Sequence, residues 1–140
     1  MNEKERDVKI RIVILFECCK RAYGQSENEG KFFYVIPELQ EYDNKVIDAN
    51  MIYLINENLV RGGVDEAGSF STPWITRINS TGMELVEKMV NESESQIPEL
   101  KTELKDEKGT QERVMSFIKY CFKNKEIPIP IMNIVKDIVL

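Results

Sequence analysis

The side chains that could do chemistry are few. Cys18 and Cys19 stand side by side and Cys121 lies far from both, so no pair has the two-residue gap of a redox or zinc motif. The odd count and this spacing argue against a disulfide framework or a zinc site. Lys20 and Arg21 are the only cations the sequence forces close to the two thiols, so core packing is expected of them and not redox sensing. The chain has no histidine. That removes the serine–histidine and cysteine–histidine routes, the commonest general base at neutral pH and most catalytic zinc geometries. Carboxylate and lysine chemistry stays open in principle, but no nucleophile, base and charge stabiliser can be assembled from these residues. The expectation is a protein that is not an enzyme and carries no metal and no cofactor.

The other route to function is recognition, and here charge matters. Nineteen Lys and Arg face 24 Asp and Glu, a net charge of −5. Over residues 1–80 the count is 10 basic and 13 acidic. Phosphate neutralisation supplies most non-specific DNA affinity, so the total argues mildly against DNA unless the basic groups gather on one side. Lys4, Arg6, Lys9 and Arg11 cluster near the start, but Glu3, Glu5 and Asp7 break the cluster, as in a solvated surface. The first residues, Met1-Asn2-Glu3-Lys4-Glu5-Arg6, lack the apolar stretch of a secretory signal. No apolar run approaches the roughly 20 residues that span a bilayer. A cytoplasmic protein without membrane contact is expected.

The elements that must position any site follow from periodicity. Val8, Ile12, Leu15, Phe16, Cys19, Ala22 and Tyr23 recur at helical spacing, predicting a first helix from Asp7 to about Tyr23, ended by Gly24. Ile10, Val13 and Ile14 make it apolar on more than one face, as in a central helix or one that also meets a partner. Residues 25–31 form a loop, and Phe32–Ile36 is aromatic and β-branched, predicting a short strand. Pro37 suits the first position of a second helix reaching Tyr42. Asp43 or Asn44 caps a third helix, with Ile47, Asn50, Met51 and Leu54 inward, up to Asn58. Leu59-Val60-Arg61 leaves as a strand, Gly62-Gly63 bends it, residues 65–69 turn, and Phe70–Ile78 returns as an edge strand containing Pro73. Thr81-Gly82-Met83-Glu84 fits a capping box, opening a fourth helix with Leu85, Val86, Met89 and Val90 inward.

Beyond a polar break at 91–96, Pro98 starts a short charged helix around Leu100 and Leu104, ended by Gly109. Thr110 caps a further helix with Val114, Phe117, Ile118, Cys121 and Phe122 on one side. Ile127-Pro128-Ile129-Pro130-Ile131 is expected to be extended, because a residue before proline avoids the α region. A last helical piece from Met132 to Leu140 would bury Ile134, Val135 and Ile138.

Two stretches carry a resemblance. Tyr53-Leu54-Ile55-Asn56-Glu57-Asn58-Leu59-Val60-Arg61-Gly62 looks like the end of a winged-helix recognition helix running into the first wing strand. Ile75-Thr76-Arg77-Ile78-Asn79-Ser80-Thr81-Gly82-Met83-Glu84-Leu85 is similar to the segment that closes the wing in MarR- and PadR-like regulators. With the element order around them, residues 7–90 resemble a winged helix-turn-helix, and the whole chain looks like the YjcQ-like group of bacterial and phage proteins. Two departures stand out: the segment 25–36 is longer than the usual turn, and the third helix is poor in basic residues.

The resemblance implies a mostly helical α+β fold, with a winged-helix domain over residues 1–94 and a helical C-terminal extension over 95–140. It implies a transcriptional regulator or mobile-element accessory protein that binds double-stranded DNA, with the third helix in the major groove. On that helix Asn44, Lys45, Asp48, Ala49 and Ile52 would point outward. Asn44 and Lys45 suit bases or phosphate, Ala49 and Ile52 offer only apolar contact, and Asp48 would repel phosphate. The same face can equally be a solvated helix surface. Arg61 and Arg77 on the paired wing strands would clamp the backbone. Trp74 is expected in the core or against the first helix. The extension either packs on its own domain or forms a homodimer seam through its helices, as a palindromic site would require. The alternative function is a winged-helix protein–protein interaction module whose acidic, partly apolar surface meets a protein partner and no DNA.

Overall fold

The computed structural model describes residues 2–124 and 126–139, with only the backbone of Val139; Met1, Lys125 and Leu140 lie outside it. It is a mostly helical α+β structure with one two-stranded antiparallel sheet among the described residues. The chain divides into two compact units, residues 10–83 and residues 1–9 with 84–140. The division falls within two helices, α1 (Glu3–Ala22) and α3 (Ser80–Gln96).

In the unit 10–83, α1 is buried without interruption from Ile12 to Cys19, which accounts for its apolar residues on every side. It ends on Gly24, whose φ of 67° is the left-handed conformation a helix stop requires. The amides of Gly24 and Gln25 turn back to the carbonyls of Arg21 and Lys20 at 3.1 and 2.8 Å, satisfying two helix-end acceptors. The expected strand at 32–36 does not form. Phe33–Val35 is a 3₁₀ turn, and a second one, Pro37–Leu39, replaces the helix expected up to Tyr42. A five-residue apolar run is ambiguous on its own; here Phe33, Ile36 and Leu39 are buried one by one at turn spacing, with no neighbouring strand to pair with.

The next helix, α2 (Asn44–Asn56), is capped by Asp43, which accepts the Lys45 amide at 2.8 Å. Ile47, Asn50, Met51 and Leu54 are buried, as their spacing predicts. Asn58 ends it in a left-handed conformation, φ 58°, and the Leu59 amide returns to the Leu54 carbonyl. Strands β1 (Val60–Ala67) and β2 (Phe70–Ile78) follow. β1 is longer than the expected three residues, because the two glycines continue the strand instead of ending it. The ladder shifts register between Arg61 and Gly62. A Cβ on Gly62 would lie 2.0 Å from the Trp74 carbonyl oxygen, so only glycine lets the two backbones close here. The turn is tighter than residues 65–69, a two-residue loop with Gly68 at its first position.

The helix after the hairpin is not capped by Thr81. α3 begins at Ser80, two residues before the start that a Thr81 cap implies, and Asn79 accepts the Gly82 amide at 2.9 Å. Gly82 sits where a Cβ would approach the Leu59 carbonyl oxygen to 2.1 Å.

In the other unit, α3 continues through Gln96, so the break expected at 91–96 is helix. Its polar residues are mostly exposed, and Arg113 donates to Glu94 at 3.0 Å and to Asn91 at 3.4 Å. Pro98 starts α4 (Pro98–Leu104), with Leu100 and Leu104 buried as expected. Gly109, not Thr110, is the cap residue of α5 (Thr110–Phe122). Val114, Met115, Phe117, Ile118 and Cys121 are buried, with Phe122 half-buried. The last helix, α6 (Ile129–Val139), starts inside the stretch expected to be extended. Ile129 and Pro130 occupy its first turn, where a missing N–H costs nothing. Its buried residues are Ile131 and Val135; Ile134 and Ile138 are half-buried, and the expected end at Leu140 lies outside the described residues. No described helix is long and apolar enough to cross a membrane.

Gly82→Ala forces a methyl group against a backbone oxygen that cannot swing aside. It is expected to destabilise the protein by about 1–3 kcal/mol, read as a lower urea midpoint.

Candidate nucleic-acid interface

The residues expected to read DNA stand on two adjoining elements, since α2 packs against both strands of the hairpin. Asn44, Lys45 and Ala49 are exposed on α2, whereas Asp48 and Ile52 are half-buried. Asp48 is not directed freely at solvent: its carboxylate accepts the Tyr34 hydroxyl from the first 3₁₀ turn. Burial, and then this carboxylate, push the Tyr34 phenol up to about 12, so it stays protonated and donates. Sequence spacing offers no signal for this pair, which joins a loop to a helix.

Arg61 and Arg77 are direct partners across the β1–β2 ladder, and both are exposed. Neither has an ion pair or hydrogen-bonded partner among the described residues. Like charges placed directly opposite destabilise a strand pair; a bound anion would relieve that repulsion. Beyond them the hairpin changes character. Asp65 and Glu66 are exposed near its tip, opposite Thr72 and Ser71. The exposed cations of the hairpin are therefore confined to its root.

Three further cations of this unit, Arg11, Lys20 and Arg21, have partners. Arg11 donates Nε to Asn50 Oδ1 at 2.8 Å and lies 3.5 Å from the Tyr53 ring centroid. Asn50 in turn donates to the Val46 carbonyl at 2.9 Å, so this buried amide is satisfied on both atoms. Lys20 and Arg21 serve Glu17, which is 1% exposed. Arg21 reaches it at 2.8 Å, Asn28 at 3.3 Å, and the Ser26 hydroxyl completes the set. Arg21 also donates to the carbonyls of Asn28 and Lys31, at 3.1 and 2.9 Å. Burial alone would raise the Glu17 carboxyl, but the bonds from Ser26, Arg21 and Asn28 and the nearby Lys20 outweigh it and hold it below the ordinary carboxylate range. This knot anchors the long loop 25–31.

Trp74 is not in the core as expected. It is 47% exposed and lies across Gly63, where a Cβ would come within 2.5 Å of the indole. Phe70, at the start of β2, is 71% exposed. All three cysteines are buried. Burial pushes the Cys18 thiol up to about 12 and moves Cys121 in the same direction, so neither is a nucleophile at neutral pH. No group of three described side chains among His, Cys, Asp and Glu converges as metal ligands would. No family model, no curated protein and no solved structure matches the chain.

Because the folded-state value for Glu17 is lowered, its stabilisation is complete above the ordinary carboxylate range and is lost as pH falls through the lowered value. Glu17→Gln is expected to lower stability at neutral pH, with the gap to the original protein closing on acidification. Urea midpoints measured from about pH 7 down to about pH 3 read this; a gap that stays constant would show that the charge on Glu17 is not what anchors the loop.

Proposed function

We propose that this protein is a winged-helix DNA-binding protein, a transcriptional regulator or an accessory protein of a mobile element, acting in the cytoplasm. The order of elements supports the reading: α1, two short 3₁₀ turns, α2, an antiparallel hairpin and α3. In this reading α2 enters the major groove with Asn44, Lys45 and Ala49 foremost. Ile52 lies at the edge of the contact, and Asp48 is drawn toward Tyr34. The hairpin follows the phosphate backbone by its root.

The observation that carries the proposal is the cross-strand pair of Arg61 and Arg77, exposed and without a carboxylate partner among the described residues. A domain with an acidic total keeps two guanidinium groups side by side at the place where a wing meets the duplex. Phosphate oxygens suit such a pair, because guanidinium forks match their geometry.

A second reading is a winged-helix module that binds a protein. The exposure of Phe70 and Trp74 on β2 favours it, since aromatic side chains are enriched at protein interfaces. A homodimer through the C-terminal helices remains part of the DNA reading, but the apolar stripe of α5 is already buried in the single chain. Such a dimer would have to use other surface of these helices, where Ile129 on α6, 75% exposed, is the one exposed large apolar residue among the described residues.

Duplex binding measured by fluorescence anisotropy across a salt series separates the readings. The affinity is expected to fall linearly with salt on logarithmic axes, and Arg61→Gln and Arg77→Gln are each expected to reduce the slope by about 1. Absence of duplex binding at low salt rejects the DNA reading; unchanged slopes in both variants reject the assigned contacts.

A further inference from the structure

The irregularity in the hairpin decides what shares its outer face. Residues directly opposite each other in a ladder point to the same side, and so do alternate residues of one strand. On β1 one side carries Arg61, Gly63, Asp65 and Ala67; their partners on β2 are Arg77, Trp74, Thr72 and Phe70. Trp74 and Arg77 are three residues apart, a spacing that puts side chains on opposite faces of a regular strand. Here Gly62 pairs with Ile75 and Arg61 with Arg77, so Thr76 is an extra residue, and the bulge turns Arg77 back to the side of Trp74. The other side is the one that packs inward, with Val60, Pro73 and Ile78 buried and Val64 and Ile75 half-buried. We propose that the outer face binds single-stranded DNA, with unpaired bases stacked on Trp74 and Phe70 and the adjoining phosphate held by Arg61 and Arg77.

The two aromatic rings are the exposed large apolar residues of the hairpin. The Trp74 indole lies across Gly63, so the backbone covers one side of the ring and leaves the other to solvent. Such a ring is a platform for a base, because every base has a π-face. The glycine seat holds the indole in place before any ligand arrives, which keeps the ordering cost of binding low. Arg61 and Gly63 are two residues apart on β1, about 7 Å. A phosphate bound at the arginines therefore leaves its base within reach of the indole.

The face also selects its occupant. A duplex keeps its bases stacked inside and has no use for the rings. A protein surface can cover the rings but brings no obligatory anion for the arginines. An unpaired nucleotide supplies a flat ring and a phosphate together. Asp65 lies on the same face, opposite Thr72 and between the two rings, and it repels phosphate. The backbone must leave the face beyond the arginines while bases lie along it, so the site is short, about two bases. Stacking of this kind does not depend on the duplex reading. The choice of DNA over RNA does rest on it, because the same arginines are assigned there to a DNA backbone.

Trp74 is the single tryptophan of the chain, so its fluorescence reports stacking directly. Titration of the full chain at low salt with an eight-residue oligothymidylate is expected to quench it saturably. An abasic oligomer of the same length keeps the phosphates and lacks the bases. It is expected to bind about fivefold more weakly or worse, with little quenching. Phe70→Ala and Trp74→Ala, both at exposed positions, are each expected to weaken binding of a labelled oligothymidylate by about fivefold or more, read by anisotropy, and to leave duplex affinity unchanged. Arg61→Gln is expected to weaken single strand and duplex alike. Absence of saturable quenching overturns the proposal, as does an abasic oligomer that binds as well as the thymidylate. Single-strand binding without duplex affinity upholds the face and ends the duplex reading; duplex affinity without single-strand binding overturns the face alone. An oligouridylate bound about tenfold tighter than the oligothymidylate, or more, overturns the choice of DNA.

Discussion

The hairpin is set by what happens at its root. Asn58 leaves α2 in a left-handed conformation, and its carbonyl accepts the Asn79 side-chain amide at 2.6 Å. The Leu59 carbonyl accepts the Asn79 backbone amide at 3.2 Å. Asn79 also accepts the Gly82 amide, and Gly82 has no Cβ to hold the Leu59 backbone away. One asparagine thus closes the two ends of the hairpin and starts α3. Arg61 and Arg77 are two residues inside this closure on either strand, so their pairing is not adjustable. A slip of one residue would send one arginine to the opposite face, and the concentrated charge would be lost.

In the proposed DNA reading, that concentration would reconcile an acidic total with an anion-binding surface. Exposed charges are screened over roughly 8–10 Å at ordinary ionic strength, so a phosphate near the hairpin root senses its neighbours and not the sum over the chain. Inward pairing of Arg11, Lys20 and Arg21 removes three cations from the outer surface. The unpaired ones are left where they stand, above all Arg61 and Arg77. Acidic Asp65 and Glu66 near the tip would, in the proposed DNA reading, limit how far a duplex could run along the hairpin. A short contact at the root is what these charges permit.

Much of this architecture was legible in the sequence where one physical signal acted alone. The apolar spacing of α1 and α2, the Asp43 cap, the glycine stop at Gly24 and the span of β2 all follow from local rules. The failures share a cause, a local preference overruled by a partner distant in sequence. Phe32–Ile36 has strand composition, yet no described strand lies beside it, and only Phe33 and Ile36 of the five are buried. Thr81 is a fair cap, but Asn79 caps the helix two residues earlier by accepting the Gly82 amide, and is bound on its other side to Asn58. Ile129 precedes a proline and is helical all the same, because Pro130 falls in a first turn. Of the candidate site, the exposure of Asn44, Lys45, Ala49, Arg61 and Arg77 could be anticipated. The diversion of Asp48 to Tyr34 could not, since nothing in either segment signals the other.

Trp74 shows how a wrong expectation can be more informative than a right one. A lone tryptophan flanked by a proline and an isoleucine is ordinarily core, and burying an indole is a large gain. Here Gly63 on the facing strand gives it a flat seat without enclosing it. Gly62 is needed for the close backbone approach, but Gly63 is needed only because the indole lies over it. Strand glycine is costly, by about 0.5–1 kcal/mol relative to alanine in a regular element. A sequence that keeps glycine there to hold an aromatic ring half in water maintains that ring as surface. The hairpin therefore offers two kinds of contact within a few residues, guanidinium groups at Arg61 and Arg77 and an aromatic plane at Trp74. A phosphate backbone uses the first and a protein partner uses the second, so the choice between the readings is a choice between neighbouring parts of one strand pair.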